Sequence, residues 1–300
     1  MEELRKALAE FDLNYSQNID IEQIHKNAWK INDAYILKKS GSVAELTKGM
    51  TLSRLLREHH VPVTQFYSTK KGESYFKADN AYYCLMKKIP GKHLDPYTGD
   101  RFKNGIMIGA IIARLHIALQ KIQDQVDCYD SDYKHEFYHY VLDEFKHKHI
   151  KIRKEIIESS QSFLPLYSTL PRQLIHRDLH LGNLLFEEGT FAGFIDFDIS
   201  QTNVRLFDVC YMGATMLVDC YKDSDRLCLW QEVFEGVIQG YNQLIPLTTN
   251  EIKAIPFVFI MIELTFAAFF SKIGQTEISK SCIDMTSWLY DNQEKISYRK

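Results

Sequence analysis

What the chain lacks narrows its chemistry first. Its six cysteines (Cys84, Cys128, Cys210, Cys220, Cys228, Cys282) contain no C-x-x-C pair and lie far apart. Neither a zinc site of the usual spacing nor a disulfide framework is expected, and a reducing, cytoplasmic setting fits. Charge of one sign is not in excess: 36 Lys and Arg against 39 Asp and Glu leave a net charge of -3. That gives no footprint for a polyanion, so no nucleic-acid partner is expected. The first residues, MEELRKALAEF, mix acids and bases at helical spacing and lack the apolar stretch and cleavage site of a signal peptide. The most apolar run, 255–270, falls short of the ~20 residues that span a bilayer. Pro256 and Glu263 interrupt it, so it reads as a buried helix and no membrane association is expected. Internal repeats and low-complexity segments are absent as well.

What is present is the composition of an ordinary globular protein, 45% hydrophobic and 25% charged over 300 residues. Residues 1–89 read as a strand-rich lobe. A short amphipathic helix leads into NIDIEQI (18–24) and AWKI (28–31), and a tight Asn32-Asp33 turn leads into AYILKK (34–39). A helix over 43–60, the segment VPVTQFYS and the strand AYYCLMKKI complete it. Ile89-Pro90-Gly91 marks a hinge, and from residue 90 to 300 the period becomes helical. Apolar positions Ile108, Ile111, Ile112, Leu115, Leu119 and Ile122 form one helical stripe. A second long helix is expected over 134–159.

The chemistry concentrates in one stretch, His176-Arg177-Asp178-Leu179-His180-Leu181-Gly182-Asn183, followed by two apolar runs around Glu187-Glu188-Gly189-Thr190 and then Ile195-Asp196-Phe197-Asp198. The runs predict a hairpin with its turn centred between Gly189 and Thr190. Asn183 and Asp196 are almost equidistant from that centre, so pairing brings them within a strand spacing of ~5 Å. Two oxygen-bearing side chains at a hairpin mouth suit Mg²⁺, which takes the rest of its shell from water and phosphate. Asp178, five residues earlier, is placed to accept the proton of an attacking hydroxyl.

His-x-Asp-x-x-x-x-Asn followed by Ile-Asp-Phe-Asp resembles the catalytic and metal-binding signature of the protein-kinase-like fold. With His180 and Gly182 inside the loop, HRDLHLGN is more similar to the aminoglycoside phosphotransferase, choline kinase and homoserine kinase group. LMKKIPG, ARLHIAL and VRLFDVCYM agree with that group. The resemblance implies an α+β, two-lobed protein-kinase-like fold: a small antiparallel sheet lobe for the nucleotide and a larger, mainly helical lobe for catalysis and substrate. It implies a phosphotransferase that uses ATP (or another nucleoside triphosphate) and Mg²⁺ on a hydroxyl of a small-molecule acceptor. Carried over residue by residue, Asp178 is the base, Asn183 and Asp196 hold Mg²⁺, His176 braces the loop and Asp208 orders it. Backbone groups from Met86 to Lys88 hold the adenine.

The same resemblance requires a strand lysine on the phosphates, and AYILKK offers Lys38 and Lys39 on opposite faces; Lys38 is favoured. Glu45 is the candidate helix partner for that lysine, although alignment backward from Val61-Pro62-Val63 puts the expected position nearer Gly49. No glycine-rich loop joins the first two strands, which leaves the choice of nucleotide open. Arg177 stands where the group often has glycine. His180 either orients the loop or touches substrate, and Asp198 assists at the metal, touches substrate or caps the next loop. Glu263, inside an apolar helix, requires a buried partner or a cationic group such as a substrate amine. Two rivals stand beside this reading: a non-catalytic nucleotide-binding relative, and a protein kinase, against which the absence of an Ala-Pro-Glu segment after Asp198 counts. The acceptor's identity and the oligomeric state are not legible.

Overall fold

A computed structural model describes residues 2–12, 19–78 and 81–298; of the strand read over 18–24, Asn18 lies outside these. The chain divides into two compact units. One comprises Met1–Leu94, Asp124–Asp127 and Leu181–Ser200; the other comprises Asp95–Gln123, Cys128–His180 and Gln201–Lys300. The division therefore falls at Leu94 rather than at residue 89, and the hairpin arm joins the N-terminal unit. Backbone hydrogen bonds explain why: Phe186 and Lys92 exchange N–H···O bonds of 2.8 Å, and Phe194 N–H donates to Pro62 O at 2.9 Å.

In this first unit α1 (Glu2–Ala9) precedes β1 (Ile21–His25), β2 (Ala28–Ile31), β3 (Tyr35–Ser40), α2 (Val43–Glu58), β4 (Phe66–Tyr67), β5 (Phe76–Ala78) and β6 (Ala81–Lys87). The sheet is antiparallel in the order β1-β2-β3-β6-β4, with β5 also on β6. Because strand side chains alternate between faces, Leu37 of β3 and Tyr83 and Leu85 of β6 join Leu4, Leu8 and Phe11 in one core. Ile36, Cys84 and Met86 join Leu46 and Met50 of α2 in another. The same alternation sends Lys38 and Lys39 opposite ways. The hairpin pairs Leu184–Glu187 with Thr190–Phe194 through a two-residue turn at Glu188 and Gly189, both at positive φ (50° and 79°), as a turn matching the strand twist requires.

In the second unit the helices are α3 (Arg101–Ile122), α4 (Tyr133–Glu136), α5 (Asp143–His147), α6 (Lys154–Tyr167), α7 (Leu206–Leu217), α8 (Ser224–Leu244), α9 (Thr249–Lys272), α10 (Thr276–Asp291) and α11 (Gln293–Ile296). The helix expected over 134–159 is interrupted. A π-helical turn, Phe137–Leu142, separates α4 from α5, and His149 at φ 54° breaks the chain before α6. A short ladder, Arg172–Ile175 against Gln201–Val204, leads into His176.

Helices α3 and α8 meet backbone to backbone: a Cβ at Gly105, Gly109, Gly236 or Gly240 would run into the carbonyl oxygens of Val233, Val237, Phe102 or Ile106. That approach lets His116 of α3 reach Tyr241 of α8, with Nδ1 and the hydroxyl 2.9 Å apart. By length and composition both α3 and α9 suffice to cross a bilayer, α9 being longer than its apolar run suggested. Most of their apolar windows, 61% and 67%, is buried inside the protein, so both serve as core helices here.

Candidate active site

The loop His176-Arg177-Asp178 of the second unit is built on one buried carboxylate. Asp208, fully buried in the first turn of α7, accepts the backbone N–H of His176 at 2.8 Å and of Arg177 at 2.9 Å, and His116 Nε2 lies 3.1 Å from its Oδ2. Arg177 sits at φ 75°, a left-handed conformation that a non-glycine residue holds only when its surroundings impose it. The pair of N–H donors bound by Asp208 imposes it here, and Tyr241 extends the chain of polar contacts through His116.

Asp178 follows at once. Its Oδ1 accepts the Tyr211 hydroxyl at 3.0 Å, and His180 Nε2 lies 3.8 Å from Oδ2. Burial, then the Asp178 carboxylate, pushes the Tyr211 phenol far above its ordinary pKa, so Tyr211 is a donor at every physiological pH. The Tyr211 ring stacks on Phe207 and Phe266, with centroids 5.9 and 5.5 Å away. The Arg177 guanidinium lies 4.4 Å above the Phe207 ring, an attractive cation–π geometry. It forms no ion pair among the described residues. Glu263 of α9 is buried and its carboxyl is pushed up to about 7 by burial; a hydrogen bond from Cys282 draws it down only in part. No ion pair joins it to a cation among the described residues, so the internal salt bridge that its sequence context invited is not formed.

In the first unit Lys38 Nζ donates to Asp198 Oδ2 at 2.7 Å and to Asp196 Oδ1 at 3.0 Å. Burial disfavours the ammonium, yet Asp198 and Asp196 outweigh it and hold Lys38 above the usual lysine pKa. Burial likewise raises the Asp198 carboxyl, and Lys38 draws it back only in part. Lys39, on the other face, pairs with Glu3 of α1 at 3.3 Å and lies over the Tyr83 ring.

Glu45 is exposed in the first turn of α2, and none of the ion pairs of Lys38 goes to it. Gly49, one turn further on, is buried, and a Cβ there would sit 2.5 Å from Asp198 Oδ1. The partner expected from the helix is thus supplied by the Asp198 loop. Met86 is flanked by β3 and β4, Lys87 N–H donates to Gln65 O, and Lys88 N–H donates to Ala34 O. The Lys87 and Lys88 N–H groups thus bond inside the first unit, and of the backbone groups expected to hold adenine these bonds do not involve the carbonyls of the stretch.

Asn183 ends a 3₁₀ turn, and its carbonyl accepts Ile195 N–H at 3.1 Å. Asn183 therefore opposes Ile195, and Asp196, at φ 65°, lies one residue beyond. The predicted register is off by one as the net of two opposed effects. The turn centres on Glu188-Gly189, one residue earlier than expected, which alone would put Asn183 opposite residue 194, and the bulge between the Leu185 and Phe186 pairs moves that partner back to Ile195. Asp196 and Asp198 already share a cation, the Lys38 ammonium; the Asp196 carboxylate and the Asn183 amide are oxygen donors of the kind that could hold Mg²⁺. Among the described residues no cluster of three or more His, Cys, Asp or Glu side chains forms a self-sufficient metal site. A cation here would complete its shell from water and phosphate.

Sequence reasoning missed Tyr211 and the Lys38–Asp198 pair. Tyr211 was within reach, since it stands three residues after Asp208 and so on the same face of α7. The pair spans 160 positions and leaves only an indirect trace, a glycine where the helix carboxylate was expected.

The fold is shared with solved small-molecule kinases. Against an amicoumacin kinase in complex with AMP-PNP, Ca²⁺ and Ami, the TM-score is 0.74 at 15% identity, covering 99% of this chain and 95% of that one. Against a microcompartment-associated aminopropanol kinase it is 0.70 at 17% identity, covering 98% of each. The chain is a small-molecule kinase that uses a nucleotide, with the two-lobed α+β protein-kinase-like fold. In sequence it is 24% identical to a homoserine kinase of Zymomonas mobilis over 231 residues, 73% of this chain and 68% of that one. It is 24% identical over 238 residues to a homoserine kinase of Methylobacillus flagellatus, 75% of this chain and 68% of that one. Residues 22–243 match the phosphotransferase enzyme family (APH), and the chain belongs to that family.

Proposed function

We propose that the chain transfers the γ-phosphoryl group of ATP, or of another nucleoside triphosphate, to a hydroxyl of a small molecule, with Asp178 as the base. The observation that carries this reading is the held carboxylate of Asp178. One oxygen is tied to Tyr211, and the preceding backbone is fixed by Asp208. Phosphoryl transfer asks the protein mainly for alignment and charge neutralisation. Asp178 takes the proton of the acceptor hydroxyl as its oxygen bonds to the γ-phosphorus; the bond from that phosphorus to the bridging oxygen breaks, and the nucleoside diphosphate leaves. Lys38 contacts the phosphates, and Asn183 and Asp196 hold Mg²⁺. Magnesium, when bound, supplies charge neutralisation on the phosphates.

The acceptor is an amino alcohol, an amino acid, a sugar or an aminoglycoside. The homoserine kinases among the relatives make hydroxy amino acids the first to try. Arg177 and the buried Glu263 are the groups of the second unit suited to an acceptor's anionic and cationic ends. We place the chain in a reducing, cytoplasmic setting on the wide spacing of its six cysteines in the sequence.

The test is ATP consumption by the purified protein with Mg²⁺ over a panel of these acceptors, with Asp178→Ala as control. The control is expected to lose ~10²–10⁴ in turnover while keeping the wild-type circular dichroism spectrum. Unchanged turnover in the control removes Asp178 as the base. Nucleotide binding without turnover of any acceptor favours a non-catalytic relative.

A further inference from the structure

A lysine that contacts phosphates works only if its ammonium is held in one place, because its four-carbon stem is flexible and a wandering cation loses most of its value to the site. Something acidic must anchor Lys38. Helix α2 runs along the face of the sheet onto which Lys38 projects, and Glu45 and Gly49, four residues apart, share one side of it. Glu45 is exposed and makes no ion pair with Lys38, while Gly49 is buried and has no side chain to offer.

The space a side chain at 49 would fill is taken: its Cβ would lie 2.5 Å from Asp198 Oδ1. The other oxygen of the same carboxylate, Oδ2, accepts from Lys38 Nζ at 2.7 Å. A second tie holds α2 to this loop, since Lys48 Nζ donates to Ser200 O at 2.9 Å.

From this geometry we infer that Asp198 is the positioning residue for Lys38, replacing a carboxylate from helix α2, and that Gly49 is the opening through which it enters. The inference rests on the reading of Lys38 as the lysine that meets the phosphates. Its consequence is that the anchor of the lysine and the metal ligand Asp196 lie two residues apart on one loop. The placement of the phosphate-binding cation is then set by that loop, and α2 serves as the wall behind it.

A double-mutant cycle on nucleotide affinity tests this without any knowledge of the acceptor. Calorimetry with Mg²⁺-ATP is run on the wild-type protein, Lys38→Met, Asp198→Asn and the double variant, each checked for folding by thermal melt. Asp198→Asn is expected to weaken binding about tenfold, and in the Lys38→Met background the same change is expected to have almost no further effect, as for residues that act through one another. Additive losses overturn the inference. So does restoration of Asp198→Asn to wild-type affinity by tenfold more Mg²⁺, which makes Asp198 a metal ligand instead. If Lys38→Met binds as the wild type does, the reading of Lys38 itself fails, and that outcome is separate from the other two.

Moving the carboxylate back onto the helix supplies a second arm. Gly49→Glu combined with Asp198→Ala is expected to bind Mg²⁺-ATP more tightly than Asp198→Ala alone, and no recovery in a folded double variant counts against the replacement.

Discussion

The Tyr211 hydroxyl donates to Asp178 Oδ1 at 3.0 Å from a ring clamped between Phe207 and Phe266. One oxygen of the carboxylate is thereby fixed by a partner that does not ionise, and the group is oriented by a neutral donor. Tyr211→Phe keeps the stacked ring and removes only the hydroxyl. We expect kcat to fall about tenfold, the worth of one hydrogen bond to a charged group, with little change in melting temperature. Steady-state kinetics on the best acceptor of the panel measures it, and an unchanged kcat would show that the contact does not orient the base.

Asp208 serves three donors with two oxygens inside a fully buried pocket. Asn in its place offers one acceptor oxygen and brings its own N–H groups toward the backbone donors of His176 and Arg177. Asp208→Asn is expected to destabilise the protein by roughly 2–4 kcal/mol, since removing one side of a buried charged network leaves its partners unsatisfied. Chemical denaturation reads this directly. A loss below 0.5 kcal/mol, the scatter of a neutral surface change, would contradict it.

The seam between α3 and α8 has no room for a methyl group. Gly109→Ala drives a Cβ into the Val237 carbonyl, where relief requires a backbone shift. The expected cost is roughly 1–3 kcal/mol. Gly72→Ala is not a fair control because Gly72 has φ 80°, whereas Gly41, with nothing near its Cβ position and no positive φ, is suitable. Gly41→Ala should leave the melting temperature almost unchanged, and equal losses at the two positions would refute the close-contact explanation.

Glu263 carries a pH signature. Its carboxyl, about 7 in the folded protein against an ordinary 4.5, binds its proton more tightly when folded than when unfolded. The resulting contribution to stability is fully present below about pH 4.5 and is lost as pH rises through 7. Its size is on the order of 1–3 kcal/mol. Glu263→Gln cannot ionise, so it should gain stability relative to wild type between pH 5 and pH 8. Parallel denaturation profiles for the two proteins across that range would dispose of the idea.

Much of this molecule is written locally. Alternation along AYILKK separates Lys38 from Lys39, and HRDLHLGN with IDFD marks the loop and the hairpin mouth, because strand period and turn chemistry act over a few residues. Errors appear where the outcome depends on a neighbour. The hairpin register moved by one because the turn sits one residue earlier than expected, while a bulge that no turn rule signals takes back half of the resulting shift. The helix over 134–159 broke at a π turn and at His149. Glu45 had the right charge on the right helix but lost the lysine to a carboxylate far away in sequence.

The first compact unit is not one stretch of chain: its sheet is complete by Leu94, but the arm from Leu181 to Ser200 belongs to it too. During synthesis at ~5–20 residues per second, that arm emerges roughly 5–20 s after the sheet. Through that interval Lys38 is without Asp196 and Asp198, and Pro62 and Lys92 are without the strands that pair with them. A nascent sheet waiting in this state exposes open strand partners, the kind of edge that favours aggregation. The time spent on the ribosome, as much as final stability, is then expected to govern how much soluble protein a cell obtains.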